Sequence, residues 1–248
     1  MHLPDLTSIE HRPWPIPELP WTWQQAWYDL LFAHWPIELD ALRPLIPDEL
    51  EIDTHEGTAW IGVVPFNMRI KRRGLPGIPT AAHFPELNVR TYVKLAGKPG
   101  VWFFSLDAAS RLAVWGARRY FHLPYYHADM RIASDGDAIV YHSARRGPQP
   151  AAFAARYRPI VPVTLAQHGS LEHWLTERYC LFARSKSGVY WCGEIHHEPW
   201  PLQQAEAEIT QNSMLEPLGL RVPDTQPVLH FAKSIDVALW PLSKAKTP

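Results

Sequence analysis

Cysteine is almost missing from this chain. Two occur among 248 residues, Cys180 and Cys192, with no Cys-x-x-Cys spacing. That excludes a disulfide framework or a zinc ribbon and makes free thiols in a reducing compartment the expectation. An excess of either charge is missing too: 24 Lys and Arg stand against 25 Asp and Glu, for a formal net charge of −1. The one basic run, Lys71-Arg72-Arg73, reads as a solvated strand end, so no nucleic-acid partner is expected. The opening MHLPDLTSIEHRPWPIPELP lacks the apolar stretch of a secretory leader, and no later run reaches membrane-spanning length. A cytoplasmic protein with no membrane partner is the expectation. There is no internal repeat and no low-complexity tract.

What is abundant is tryptophan (12) and proline (25). The prolines are scattered, which suits many strands joined by fixed turns. Beyond a Pro-rich lead over residues 1–20 and a short C-terminal tail, the whole chain of 1–248 reads as one domain. The early tryptophans Trp14, Trp21, Trp23, Trp27 and Trp35 are expected to pack on its core.

The spacing of Trp23, Trp27, Leu30, Leu31 and His34 predicts a helix over WTWQQAWYDLLFAHW. A short helix in ELDALRPLI is limited by Pro44 and Pro47. TAWIGVVPFNMRI reads as a strand bent at Pro65, followed by the Gly/Pro loop RRGLPGIPT. ELNVRTYVKL alternates: Leu87, Val89, Thr91, Val93 and Leu95 point one way, and Glu86, Asn88, Arg90, Tyr92 and Lys94 the other. A turn at Gly97-Lys98-Pro99-Gly100 and the strand VWFFSLDA complete a hairpin. SRLAVWGARRYF has helical spacing and stops before Pro124. YYHADMRI, AIVYHSARR and FAARYRPIVP read as strands. SLEHWLTERYCLF reads as a helix capped by Ser170, and GVYWCGEIHH, PVLHFA and SIDVALW as late strands. Many strands, a few short helices and no βαβ rhythm predict an α+β fold, a closed or half-closed antiparallel barrel.

On a strand, Tyr125, His127, Asp129 and Arg131 share one face, and the core-like Tyr126, Ala128, Met130 and Ile132 the other. The polar face either meets water or lines a pocket.

The segments HFPELNVRTYV, GVWFFSLDA, GARRYFHLPYY, LTERYCLF and HHEPWPL, in this order, resemble the bacterial YqjF-like family, a domain of unknown function, from about Trp23 to Trp240. That family is similar in turn to the acetoacetate decarboxylase superfamily. The resemblance implies an acetoacetate decarboxylase-like antiparallel β-barrel with a few short peripheral helices around a ligand cavity. It places Glu86 where those enzymes carry a strand glutamate. Their Gly-Arg-Glu-x-x-Gly-x-Pro-Lys segment aligns with Ala117–Tyr125, matching at Arg118 and Pro124. Tyr125 then stands at the position of the Schiff-base lysine, and the next residue, Tyr126, is not lysine either. A phenol forms no imine, so decarboxylation by the covalent amine route is not expected. The resemblance turns Tyr125, and His127 with it, toward the cavity.

The candidate residues follow. Glu86 is a possible acid or base once burial raises its pKa, with Tyr125 a hydroxyl donor and His127 a proton partner. Arg90 and Arg118 are candidate holders of an anionic ligand. Glu86 and Arg90, roughly 13 Å apart on a strand, are not expected to pair. Lys94 and Lys98, beside a turn, read as solvated. His196-His197-Glu198 could offer one metal ligand, yet no ligand spacing accompanies it, and neither a metal nor a cofactor is expected. Ser105 has no nucleophile elbow around it. A small organic carbonyl or carboxylate compound is the expected partner. Non-covalent acid/base catalysis and a filled scaffold are the alternatives.

Overall fold

The structure, a computed structural model, describes residues 1–75 and 82–245. Most of the loop RRGLPGIPT and the end of the C-terminal tail lie outside the described residues. Thirteen strands form one sheet: β1 (Trp23–Ile37), β2 (Glu51–Ile52), β3 (Ala59–Arg72), β4 (His83–Leu95), β5 (Lys98–Ala108), β6 (Tyr125–Asp135), β7 (Ala138–Arg145), β8 (Ala151–Pro159), β9 (Cys180–Arg184), β10 (Tyr190–His196), β11 (Gln203–Asn212), β12 (Val228–Leu239) and β13 (Ser243–Lys244). Three short helices, α1 (Leu39–Leu42), α2 (Arg111–Tyr120) and α3 (Leu171–Thr176), complete it. Among the described residues no helix is long and apolar enough to cross a membrane.

The strand pairings close on themselves. The order β5-β6-β7-β8-β11-β12-β1-β3-β4 returns to β5 through the β4–β5 pairing, and β9 and β10 bridge β5 to β12 as a shorter circuit. The ring is mostly, not wholly, antiparallel: β5 runs parallel to β6 and to β9. A single β-α-β crossover over β5, α2 and β6 is therefore present within the otherwise antiparallel run of hairpins. It escapes a rhythm search because it occurs here once, between hairpins.

The helix predicted over residues 21–35 is strand β1. It lies between β12 and β3, paired to both. Leu31, Phe32, Ala33 and His34 are all fully buried, which a strand covered on both faces produces and a one-sided helix does not. The helical spacing has a local cause. The β1–β3 register shifts between Tyr28 and Ala33, where Asp29 takes a positive φ of 52°. Such a bulge breaks the two-residue period, so apolar positions fall three and four apart. Three of the early tryptophans pack on the core: Trp14 lies against the first cluster, Trp27 stacks on Trp200 at 5.9 Å, and Trp35 is buried.

The other elements follow the predicted types more closely. The β4–β5 hairpin turns in two residues, Ala96 (φ 50°) and Gly97 (φ 78°), both in the left-handed region. That tightness puts Lys98, Pro99 and Gly100 in β5 instead of the turn. Ser110 caps α2 and Ser170 caps α3, each accepting a backbone N–H three residues on. The predicted late helix is shorter than its apolar spacing suggested: α3 ends at Thr176 and the Cys-Leu-Phe part becomes β9.

Both faces of β4 are buried. Leu87, Val89, Val93 and Leu95 join one core cluster with Leu31, Ile61 and Tyr141. The opposite face carries Glu86, Asn88, Arg90 and Tyr92, each at most 9% exposed. Beside it lies a second cluster built on Phe32, Phe66, Leu106, Tyr125 and Trp200. A row of polar side chains thus runs through the inside of the protein.

Candidate functional site

Glu86 sits opposite Phe66 of β3 and Ala108 of β5, in the middle of three paired strands. It is 2% exposed. Burial pushes its carboxyl up to about 8, with a lowering contribution from the Tyr125 hydroxyl and a further rise from the charge of Asp107. Tyr125, the first residue of β6, donates to Glu86 Oε2 at 3.0 Å. Burial, then the neighbouring Glu86, holds its phenol well above the usual range. Tyr141 donates to the backbone carbonyl of Glu86 at 2.6 Å and fixes the strand there. The crossover explains why Tyr125 arrives here: α2 packs Val114 on the core, and His122 (φ 54°) turns the chain so that Tyr125 falls beside Leu106.

Glu86 and Tyr125 are thus brought together by their side chains, and neither His127 nor Arg118 bonds to that carboxyl or hydroxyl. His127 pairs with Ala108 and is half-buried; among the described residues its imidazole forms no hydrogen bond or ion pair. Arg118 turns back along its own segment. Its Nε donates to the carbonyl of Tyr125, and its guanidinium lies 5.2 Å from the Tyr126 ring centre. Ala128, Met130 and Ile132 bury or pack on the core as expected.

Arg90 belongs to a second polar group that sequence reasoning largely missed: His34, Asn88, Tyr92, Arg178 and His230. Tyr92 Oη donates to the carbonyl of Leu175 at 2.7 Å, and His34 Nε2 lies 2.7 Å from the same hydroxyl. A hydroxyl has one proton, so His34 Nε2 is the donor of that pair and its Nδ1 is a bare acceptor. Burial, then Arg90, holds His34 neutral, its pKa well below the usual imidazole value. Arg90 Nη2 reaches Tyr92 Oη at 3.4 Å and the Leu175 carbonyl at 3.3 Å, and the guanidinium lies over Phe32 at 5.3 Å. Arg178 donates to Asp53 at 2.7 Å. The buried atoms His34 Nδ1, Asn88 Oδ1, Arg90 Nε, Arg178 Nη2 and His230 Nδ1 have no hydrogen-bond partner among the described residues.

The strand backbone makes room for this group at Gly62. A Cβ there would fall 2.7 Å from His34 Cδ2 and 2.8 Å from Nε2, with Arg90 Cγ behind at 3.6 Å. His34 cannot yield without leaving Tyr92. Gly62→Ala is expected to cost about 1–3 kcal/mol by overpacking, read as a lowered urea midpoint at unchanged slope.

The remaining candidates are occupied elsewhere. Lys94 pairs with Asp53 at 2.9 Å, and Lys98 with Glu194. His196 meets the carbonyl of Asp5 at 3.0 Å, while His197, lowered to about 3 by burial, stacks on Tyr179. Among the described residues no group of three metal-ligating side chains exists. Ser105 accepts from Arg145 at 2.8 Å. Where β9 and β6 part from β5, an open groove of about 750 Å³ is lined by Trp102, Phe104, His122, Pro124, Phe182 and Arg184, among others.

Comparison with known proteins places this geometry in context. The family model DUF2071, described as an uncharacterized conserved protein, matches residues 24–236. The uncharacterized protein YqjF of Bacillus subtilis (strain 168) is 51% identical over 230 residues, covering 92% of this chain and 95% of that protein. Among solved structures, the enduracididine biosynthesis enzyme MppR complexed with pyruvate aligns with a TM-score of 0.65 at 10% identity, over 95% of this chain and 94% of that one. An acetoacetate decarboxylase from Legionella pneumophila aligns at 0.63 and 13% identity, over 96% and 94%. An acetoacetate decarboxylase-like enzyme from Sphingomonas wittichii RW1 aligns at 0.64 and 13% identity, over 96% and 98%. At these identities the likeness is one of fold.

Proposed function

The chain belongs to the YqjF-like family of uncharacterized conserved proteins, and from that premise we propose that it binds a small organic carboxylate inside its ring, a barrel-like interior, beside Arg90. One observation carries the reading: Arg90 is a buried cation that forms no ion pair among the described residues. Among the described residues its Nε is without a partner, and its other bonds are long contacts to neutral oxygens. A buried, uncompensated guanidinium costs several kcal/mol unless an anion meets it. Asn88 Oδ1 and His34 Nδ1, both acceptors, suit a ligand that also carries a hydroxyl or an enol proton.

Pyruvate in MppR is a fold-level precedent for a small keto acid on this scaffold. The ligand binds here without an imine. Tyr125 occupies the position where the resemblance puts the lysine, and Lys94 and Lys98 are held in ion pairs. A second reading rests on Glu86: a carboxyl poised near neutrality and 3.0 Å from a phenol is suited to proton transfer on a bound carbonyl or enol compound.

The test is a thermal-shift and calorimetric series with pyruvate, acetoacetate and related keto acids, repeated on Arg90→Met. The wild-type chain is expected to bind one of them. The variant, which keeps most of the apolar volume, is expected to bind it about 10- to 100-fold more weakly, the worth of roughly 1.5–3 kcal/mol for hydrogen bonds to a charge. Equal affinity in both chains would remove Arg90 from the site. A borohydride-trapped lysine adduct would overturn the non-covalent assignment.

A further inference from the structure

Cys180 begins β9 and Cys192 lies within β10. The two strands pair with Glu194 opposite Cys180 and Phe182 opposite Cys192. The cysteines are therefore diagonal neighbours on one face, both buried in the first core cluster. Their Sγ atoms are 2.7 Å apart. Non-bonded heavy atoms settle at about 3.5–4.0 Å, and a disulfide at about 2.05 Å, so little backbone movement separates this pair from a covalent bond. We propose that Cys180 and Cys192 form a redox-active dithiol, which closes to a disulfide with a hydroperoxide and is reopened by a dithiol reductant.

The surroundings favour one sulfur as the attacking one. The Cys180 thiol, hydrogen-bonding to Cys192, lowers the pKa of Cys192, and the Lys98 ammonium lowers it further. Burial instead pushes Cys180 well up. Low-pKa thiols beside cations are the ones that react. Cys192 is also the more reachable of the two. The edge of β10 beside it is paired only to β13, a ladder of two residues with Ser243 opposite Cys192, and so short a pairing opens at little cost.

The chemistry balances. The Cys192 thiolate attacks the hydroperoxide, forming an S–O bond as the O–O bond breaks, and an alcohol (water, for hydrogen peroxide) leaves with a proton. Cys180 then attacks the resulting sulfenic sulfur. An S–S bond forms, the S–O bond breaks, and hydroxide departs with the Cys180 proton as water. Two thiols lose two protons and two electrons, and the peroxide takes up both.

The test uses the full chain. It is treated with hydrogen peroxide or equilibrated with excess oxidised dithiothreitol just below its melting temperature, then denatured in an alkylating reagent. The expected result is a loss of 2 Da, no alkylation, and a linked peptide pair containing Cys180 and Cys192, all reversed by dithiothreitol. A ring closed over a separation of 12 residues should raise Tm by roughly 6–12 °C in the oxidised form. Cys192→Ser is expected to lose the linkage and the shift together. Two alkylated thiols after both treatments would overturn the proposal. So would oxygen additions of 16 or 32 Da without a linked pair, or an unchanged shift in the serine variant.

Discussion

Glu86→Gln is expected to gain stability over the parent chain steadily as pH rises from 5 to 8. The sign follows from the direction of the shift. Glu86 has a folded pKa raised from 4.5 to about 8 by burial. Between those values the native state holds a proton that the unfolded chain has released. Native binding of more protons makes stability fall with rising pH. Stability is thus full below pH 4.5 and is lost through about pH 8, by roughly 3–5 kcal/mol at about 1.4 kcal/mol per pH unit. Glutamine resembles the protonated acid in shape, accepts from Tyr125 in the same way, and does not titrate. Urea titrations of both chains at pH 5, 6, 7 and 8 should give curves that converge at the acid end and diverge at the basic end. Parallel curves would mean that Glu86 is solvated in solution, and would remove the basis for any proton-transfer role.

The same variant separates the two functional readings. A proton-transfer role for Glu86 predicts that the glutamine chain binds its ligand near normally and turns nothing over. A binding site centred on Arg90 predicts a modest change in affinity, because Glu86 lies four residues from Arg90 along β4 and shares no hydrogen bond with it.

How much of this was legible in the sequence depends on whether a side chain's role is set within its own segment. The alternation of β4 is local, and it marked Glu86, Asn88, Arg90 and Tyr92 as one face; Gly97 marked the turn beside it, and Ser170 the cap of α3. Tyr125 with Glu86 came through the resemblance, since a phenol 39 residues from a carboxylate carries no local sign of contact. His34 was hidden by the bulge at Asp29, which made β1 look helical and turned a buried, hydrogen-bonding imidazole into one more apolar-stripe residue. Arg178 was hidden because the apolar spacing of α3 runs on past Thr176, so its link into β9 read as helix. Arg118 and His127 lie apart from the Glu86–Tyr125 hydrogen bond for another reason. A residue's number along a strand says which face it takes, but not whether a long side chain will fold back on its own backbone, as Arg118 does on Tyr125.

The second large effect belongs to the pair beneath Tyr126. Arg145 Nε donates to Asp107 Oδ1 at 2.8 Å and Nη2 to Ser105 at 2.8 Å, with the guanidinium 4.3 Å from the Tyr126 ring centre. Both side chains of the ion pair are almost fully buried, at 2% and 0% exposed. Arg145→Ala would leave a buried carboxylate whose Oδ2 already lacks a partner among the described residues, and is expected to cost about 3–5 kcal/mol. The loss should depend on pH. Burial raises the Asp107 carboxyl to about 6 even with Arg145 lowering it, so without the arginine it rises further. A raised carboxylate keeps its proton in the native state and loses stability as pH climbs, so the variant should suffer most at pH 8 and least at pH 5. The double variant Asp107→Leu, Arg145→Met should recover much of the loss, because an apolar pair of similar size avoids the desolvation that the ions incur. The pair ties the end of β5 to β7 across β6, the strand that carries Tyr125. Hydrogen exchange at Tyr125 and Tyr126 should therefore accelerate in the single variant and return toward the parent rate in the double. A single variant as stable as the parent at pH 8 would show that β6 is held in place without the ion pair.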